Sequence, residues 1–245
     1  MRVAVVPARL ASTRLPQKML ADLAGLPLFA HAALRCEASE LFDRVLVATP
    51  DPAIHAAAEE LGLEVVRTGP APTGTHRVAA AAPKEATVVV NVQGDLPVFD
   101  EDLLPAALAA LEAADIGTVW APLDGDPHEA SRVKVRVDNQ GRADFSRRPF
   151  AGASPWVHVG VYAFRPASLA RAVAAPRTGR CVAEDLEQLA WVDGGMAIGA
   201  RGIARAPLSV DTKADLDRLR SRFHRGLAHV PALRSPVLYS QGAPR

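Results

Sequence analysis

The chain has 245 residues, 49% of them hydrophobic and 22% charged, enough to bury the core of one α/β domain with a small appended subdomain. A formal net charge of +1 gives no global field for nucleic acid or an anionic membrane, so any basic site must be local. Cys36 and Cys181 have no metal-ligand spacing and form no disulfide framework, and no apolar run reaches the length of a secretory or membrane-spanning segment; the expectation is two reduced thiols in a cytoplasmic protein without signal peptide or membrane span.

The first apolar run, Val3 to Val6, breaks at Pro7 into a loop that holds Arg9, Arg14 and Lys18 among small residues and Pro16. A short apolar run ending in a turn reads as a buried strand, and open α/β sheets place ligands at the carboxyl ends of such strands. The loop is therefore built for an anion. Leu28 to Ala38 is compatible with a helix, and Arg44 to Thr49 reads as a second strand ending in the turn 50–52. A helix over 53–61, closed by Gly62, leads to a third short strand over 63–66. A helix over about 75–82 then precedes Thr87 to Val92, the most strand-like run of the chain. Helix 103–114 and strand 116–121 follow.

From there the character changes. Arg132 to Val137 alternates polar and apolar residues, turn residues occupy 138–141, and 143–146 completes a half-exposed antiparallel hairpin. Strand 157–164 and helices 166–174 and 182–191 come next, then a last strand over 204–210 and an amphipathic helix over 213–223. The tail, 231–245, has no clear periodicity and reads as irregular. The alternation predicts an α/β fold, a doubly wound, mostly parallel Rossmann-like sheet with right-handed crossovers. Residues 1–121 plus 195–230 form its nucleotide-binding domain, and 122–194 a small inserted subdomain.

Two carboxylates bear on the opening loop. Gln93-Gly94-Asp95 puts Asp95 just past a strand end, with a glycine that lets backbone approach a ligand, and the late strand brings Asp211 and Thr212 to the equivalent position. A single aspartate after a strand is more often a helix cap. Two of them converging opposite Arg9, Arg14 and Lys18 match the needs of a magnesium-bound nucleoside triphosphate, with hard oxygens for Mg2+ and cations for the phosphates. The Walker A loop and the dinucleotide glycine fingerprint are both absent, which argues against an ATPase and a Rossmann dehydrogenase.

The loop Ala8-Arg9-Leu10-Ala11-Ser12-Thr13-Arg14-Leu15-Pro16-Gln17-Lys18 resembles the signature of the sugar-acid cytidylyltransferases, most closely the CMP-KDO synthetase (3-deoxy-manno-octulosonate cytidylyltransferase) family. Thr73-Gly74-Thr75-His76-Arg77, Asn91-Val92-Gln93-Gly94-Asp95, Val133-Lys134-Val135, Phe145-Ser146-Arg147, His158-Val159-Gly160-Val161-Tyr162, Leu186-Glu187-Gln188-Leu189 and Val210-Asp211-Thr212 follow in the family's order, up to about residue 223. The resemblance implies a nucleotidyltransferase type A-like fold that joins CTP to an acidic acceptor with release of pyrophosphate. It implies that Arg9, Lys18, Asp95 and Asp211 are catalytic, that Asp95 and Asp211 hold Mg2+, and that Ala8, Ser12, Arg14, Thr75, Arg77 and Gln93 join Arg9 and Lys18 in binding the nucleotide. Gln93, Arg147, His158, Tyr162 and Gln188 would line the acceptor pocket, and the insert would pair two protomers as a homodimer. Bland readings stand beside these: a packing role for His158, a core or interface role for Tyr162 and a surface charge for Arg147.

The sequence also departs from the family. His76 stands where an acidic residue is usual, Leu96 replaces a glutamate, Cys181 and Ala190 replace polar residues, and the stretch between Arg147 and His158 is short. A pocket that loses polar groups loses selectivity for a polyol, which favours an altered acceptor. Two acceptors are thus expected: KDO or a related 2-keto sugar acid, and a small acid such as phosphonoformate, whose charges would suit Arg147 and His158. Outside this chemistry stand a non-catalytic nucleotide-binding regulatory protein on the same fold and a nucleotidyltransferase using another NTP.

Overall fold

The computed structural model describes residues 1–152 and 156–230. The tail reading, 231–245, lies outside them. The chain begins with β1 (Arg2–Pro7), whose alternate residues supply two different cores: Ala4 and Val6 on one face, Val3 and Val5 on the other. After the basic loop and a single 3-10 turn at Lys18–Leu20 come β2 (Asp22–Leu23) and β3 (Leu26–Pro27), a small hairpin closed by Ala24 and Gly25, both at positive φ. Such two-residue turns match the strand twist. Then follow α1 (Leu28–Ala38), β4 (Arg44–Thr49), α2 (Pro52–Glu60), β5 (Val65–Arg67), α3 (Gly74–Ala81) and β6 (Val88–Val92). The second half runs α4 (Leu103–Leu111), β7 (Ile116–Pro122), the hairpin β8 (Lys134–Val137) and β9 (Ala143–Ser146), β10 (Trp156–Phe164), α5 (Pro166–Ala174), α6 (Gly179–Glu184), α7 (Glu187–Asp193), β11 (Ile198–Gly202) and α8 (Lys213–His224).

The main sheet has the order β11-β7-β10-β6-β1-β4-β5, parallel except for β10, which runs antiparallel to both neighbours. From β1 the chain moves outward to β4 and β5, then returns to β6 on the other side of β1. Connections therefore diverge after β1 and β6, and a crevice opens at their carboxyl ends, where such sheets bind ligands. One core packs Phe29 and Leu34 of α1, Ile54 of α2 and Leu103 of α4 beneath the sheet. The other packs Val78 of α3, Leu169 of α5, Leu189 and Trp191 of α7 and Phe145 of β9 above it. A third cluster, Leu23, Leu28, Val210, Leu216 and Leu219, docks α8 beneath the small hairpin and so carries Asp211 to the crevice.

Three expectations need correction. The 122–194 insert is expected to hold β10 and α5, yet β10 lies between β6 and β7 in the main sheet, which leaves β8, β9, α6 and α7 of that range outside the simple crossover pattern. The last strand is β11, not 204–210. Pro207 has no amide hydrogen to give a ladder, and the segment makes a single bridge, Val98 to Leu208. β11 hides its nature because two of its five residues are glycines. They are there for close approach: a Cβ on Gly199 would sit 2.4 Å from the Ala110 carbonyl oxygen of α4, and one on Gly202 2.6 Å from Trp120. Finally, the helix expected over 182–191 is two. Thr178 caps α6 by accepting from the Cys181 amide, and Asp185 ends it in the left-handed conformation.

Candidate active site

The crevice is a cavity of about 710 Å3, and both of its walls are legible in the sequence. One wall is the basic loop. The Ala8 amide bonds the Ala48 carbonyl at 2.9 Å, prolonging the β1–β4 ladder, and the Leu10 amide bonds Asp51 Oδ2 at 2.8 Å, so the loop is fastened to the end of β4 before it turns. Ala8, Arg9, Ser12, Arg14 and Lys18 all line the cavity from it. The other wall is Ala71, Thr73, Gly74 and Arg77 around the amino end of α3, where Thr73 caps the helix by accepting from the His76 amide. A helix amino terminus directed at a cavity favours an anion there.

The floor comes from β6. Gln93 and Asp95 line the cavity, and Gly94 between them is closely packed, since a Cβ would crowd the Pro7 carbonyl oxygen at 3.2 Å and the Met19 sulfur at 3.1 Å. Asp211 arrives from the far end of the chain, held by a main-chain bond from the Val210 amide to the Asp95 carbonyl at 2.9 Å. Thr212 caps α8 in a reciprocal capping box with Asp215. The outcome is a chain of charges: Arg14 Nη2 donates to Asp211 Oδ1 at 2.8 Å, and Lys18 Nζ donates to Asp95 Oδ2 at 2.8 Å and to Asp211 Oδ1 at 3.3 Å. Lys18 is 7% exposed, a buried cation that needs such partners.

Arg77 is also buried. It donates to Thr68 Oγ1 at 2.6 Å, and burial, with the Arg9 charge adding to it, pushes its guanidinium below the usual arginine range, a preparation for a negative ligand. Gln93 donates to Asn91 Oδ1 at 3.3 Å, which orients its amide at the cavity floor. Thr75 is placed differently from its neighbours. Its hydroxyl is buried and donates to Glu187 Oε1 at 2.6 Å, tying α3 to α7 instead of facing the cavity.

Of the expected acceptor residues, Gln93 lines this cavity, while Arg147, His158, Tyr162 and Gln188 do not. His158 Nε2 lies 3.0 Å from Thr118 Oγ1, whose own hydrogen goes to the Val161 carbonyl at 2.7 Å, so Nε2 carries the proton. Burial lowers this imidazole to about 3, so it is neutral at neutral pH. Tyr162 packs edge-on against Trp191 and beside His158, with burial pushing its hydroxyl up. Gln188 is buried on α7. Arg147 is spent on main-chain carbonyls, Glu184 at 2.5 Å, Ala130 at 3.0 Å and Asp185 at 3.1 Å, which fixes the end of β9 against α6.

Sequence reasoning missed Asp51, Thr73 and Glu187. Thr73 was within reach as a cap ahead of an apolar helix, whereas Asp51 and Glu187 act on residues 41 and 112 positions away and leave no local signal.

The cytidylyltransferase family model matches residues 3–198. The chain belongs to this family. As a cytidylyltransferase it is an enzyme, a nucleotidyltransferase, so the regulatory reading falls away. It is 42% identical over 235 residues to the 3-deoxy-manno-octulosonate cytidylyltransferase of Anaeromyxobacter sp. (strain Fw109-5), covering 90% of this chain and 96% of that one. It is 38% identical over 233 residues to the enzyme of the same name from Rhizobium etli, covering 88% and 92%. Among solved structures it resembles a CMP:2-keto-3-deoxy-manno-octonic acid synthetase complexed with CTP, with a TM-score of 0.84, 31% identity and coverage of 92% and 99%. A more distant likeness, at 11% identity and a TM-score of 0.64, to the 4-diphosphocytidyl-2C-methyl-D-erythritol synthase of Anaerococcus prevotii shows the shared α/β fold alone.

Proposed function

We propose that this cytidylyltransferase transfers the CMP moiety of CTP to 3-deoxy-manno-octulosonate or a closely related 2-keto sugar acid, releasing pyrophosphate in a Mg2+-dependent reaction. One observation carries the reading: Asp95 and Asp211 meet on a single ammonium in a cavity whose walls also hold Arg9, Arg14 and Arg77. Carboxylates that one Lys Nζ can bridge are close enough to share one cation, and oxygen is the donor that Mg2+ prefers. Among the described residues no three His, Cys, Asp or Glu side chains cluster as a metal site, so two carboxylates are the protein's share and the triphosphate and water complete the set. Bound there, Mg2+ would supply neutralisation of charge developing on the phosphates. Arg9, Arg14 and Lys18 would hold the triphosphate and stabilise the departing pyrophosphate, while Arg77 and Gln93 would hold the nucleotide against the floor. An acceptor oxygen attacks the α-phosphorus directly, and no side chain needs to form a covalent intermediate.

The acceptor is assigned from the named relatives and from where the departures sit. Leu96, Cys181 and Ala190 are buried in the hydrophobic cores, and His76 turns its ring to Thr73 Oγ1 at 2.9 Å; none of the four lines the cavity. Their change of polarity therefore removes no contact from it. A small acid such as phosphonoformate called for positive charge at Arg147 and His158, and these are a carbonyl-bound arginine and a neutral imidazole. Pyrophosphate release with CTP and each acid decides between them: turnover of KDO with little or none of phosphonoformate is expected, and the reverse would replace the sugar acid with the small one. A homodimer in the cytoplasm is part of the same proposal. No helix among the described residues is long and apolar enough to cross a membrane, and both cysteines are free and buried. Light scattering on the purified chain reads the dimer directly.

A further inference from the structure

The two carboxylates that suit a divalent cation already hold one positive charge, and it belongs to the chain. Lys18 Nζ sits between Asp95 Oδ2 and Asp211 Oδ1, and Arg14 takes Asp211 Oδ1 from the outer side at 2.8 Å. The two cations differ in freedom. The Arg14 side chain is 56% exposed and that of Lys18 only 9%, anchored by the 3-10 turn that begins at Lys18 itself. An ammonium with three donors and no acceptor can satisfy two carboxylates at once, and it occupies the space a metal ion would need to bridge them. A divalent ion brought into that space meets the Lys18 charge at short range and competes with it for Asp95 Oδ2 and Asp211 Oδ1.

We propose that Lys18 is a gate on the metal site: without nucleotide its ammonium bridges Asp95 and Asp211 in place of the metal, and a triphosphate draws it away so that metal and nucleotide enter together. The inference rests on the metal-dependent reading above and adds an order to it. A triphosphate offers Lys18 and Arg14 stronger anionic partners than the carboxylates they leave. Moving the ammonium onto phosphate frees the carboxylate oxygens, and the phosphates supply the ligands that two carboxylates alone do not. By reciprocity, whatever the nucleotide gains from the metal the metal gains from the nucleotide. The same side chain thus keeps the half-buried carboxylates neutralised between turnovers and later neutralises the triphosphate.

The test measures metal binding, not turnover. Mn2+ is titrated into nucleotide-free protein and followed by electron paramagnetic resonance for the wild type, Lys18→Met, Arg9→Met and Lys18→Met/Asp95→Asn. Methionine keeps the buried stem of Lys18 and removes only its charge. Arg9 lines the same cavity without bonding either carboxylate, so Arg9→Met controls for the general loss of a positive charge. The gate predicts that Lys18→Met binds Mn2+ about tenfold or more tighter than the wild type, that Arg9→Met gains far less, and that adding Asp95→Asn cancels the gain. Equal affinities in wild type and Lys18→Met, or equal gains in Lys18→Met and Arg9→Met, overturn it. Circular dichroism checks the fold. Should Lys18→Met not fold, Arg14→Met on its exposed side chain takes its place, with a smaller gain supporting the gate and none overturning it. Failure of the underlying reading looks different: wild type that binds no Mn2+ even with CTP has no metal site at all.

Discussion

Replacing His158 with glutamine tests whether this imidazole is a cation waiting for an acid or a neutral part of the core. Its lowered value, about 3, comes from burial, and its bond to Thr118 needs a proton on Nε2 but no net charge. The folded protein therefore binds fewer protons at this site than the unfolded chain, where histidine titrates near 6.5. Its contribution is present in full above pH 6.5 and is lost as pH falls from there toward 3. Linkage between those two values gives a loss of about 2 kcal/mol between pH 7.5 and pH 5, an upper figure because the side chain keeps some contact with solvent. Glutamine can still donate to Thr118 and does not titrate. Thermal unfolding at the two pH values should show the wild type losing about 4–8 °C more than His158→Gln, a difference in which the other ionisable groups cancel. Equal losses in the two proteins would mean that His158 charges freely in the fold, and would return it to the list of candidate acceptor contacts.

Other perturbations separate the roles of the remaining residues. Asp95→Asn should lower kcat by about 10²–10³-fold while leaving the unfolding midpoint nearly unchanged, because Lys18 keeps Asp211 as a partner; near-wild-type turnover would remove Asp95 from the chemistry. Arg77→Met should weaken CTP binding about tenfold or more, read by calorimetry, from the loss of a buried charged donor. Thr75→Val should destabilise the fold by about 1–2 kcal/mol in urea, through the lost bond to Glu187, yet leave KM for CTP in place; a large rise in KM would restore Thr75 to the nucleotide contacts. Gly117→Ala should cost about 1–3 kcal/mol, since its Cβ would fall 2.3 Å from the Ala107 carbonyl oxygen of α4, and an unchanged urea midpoint would contradict the close packing of α4 on β7.

The donor half of the site was legible because its residues follow strand ends. β1 and β6 are nearly continuous apolar runs, so Arg9, Lys18 and Asp95 could be placed at the sheet edge from the sequence pattern alone. Asp211 reached the same place for another reason than the one expected: the α8 cluster and the Val210 to Asp95 bond carry it there, and no strand precedes it. Other candidates sit away from the cavity. Arg147 and His158, expected at the acceptor, and Thr75, expected at the nucleotide, are residue types that chemistry favours, but each is committed to a partner contributed by another element: α6 for Arg147, β7 for His158 and α7 for Thr75. Such pairings depend on packing and leave no periodic trace. Glycine misled in the same way at β11, where closeness to α4, not a turn, explains Gly199.

The central claim is cytidylyl transfer to a 2-keto sugar acid at the Asp95–Asp211 site. Its most direct measurement is pyrophosphate release by purified enzyme given CTP and KDO, with Mg2+ and with EDTA, followed by mass detection of the CMP-linked sugar acid. The account predicts steady release with Mg2+, a CMP–KDO product in equal amount, and none of either with EDTA. No product with KDO under conditions where another acid is converted, or turnover indifferent to EDTA, would contradict it.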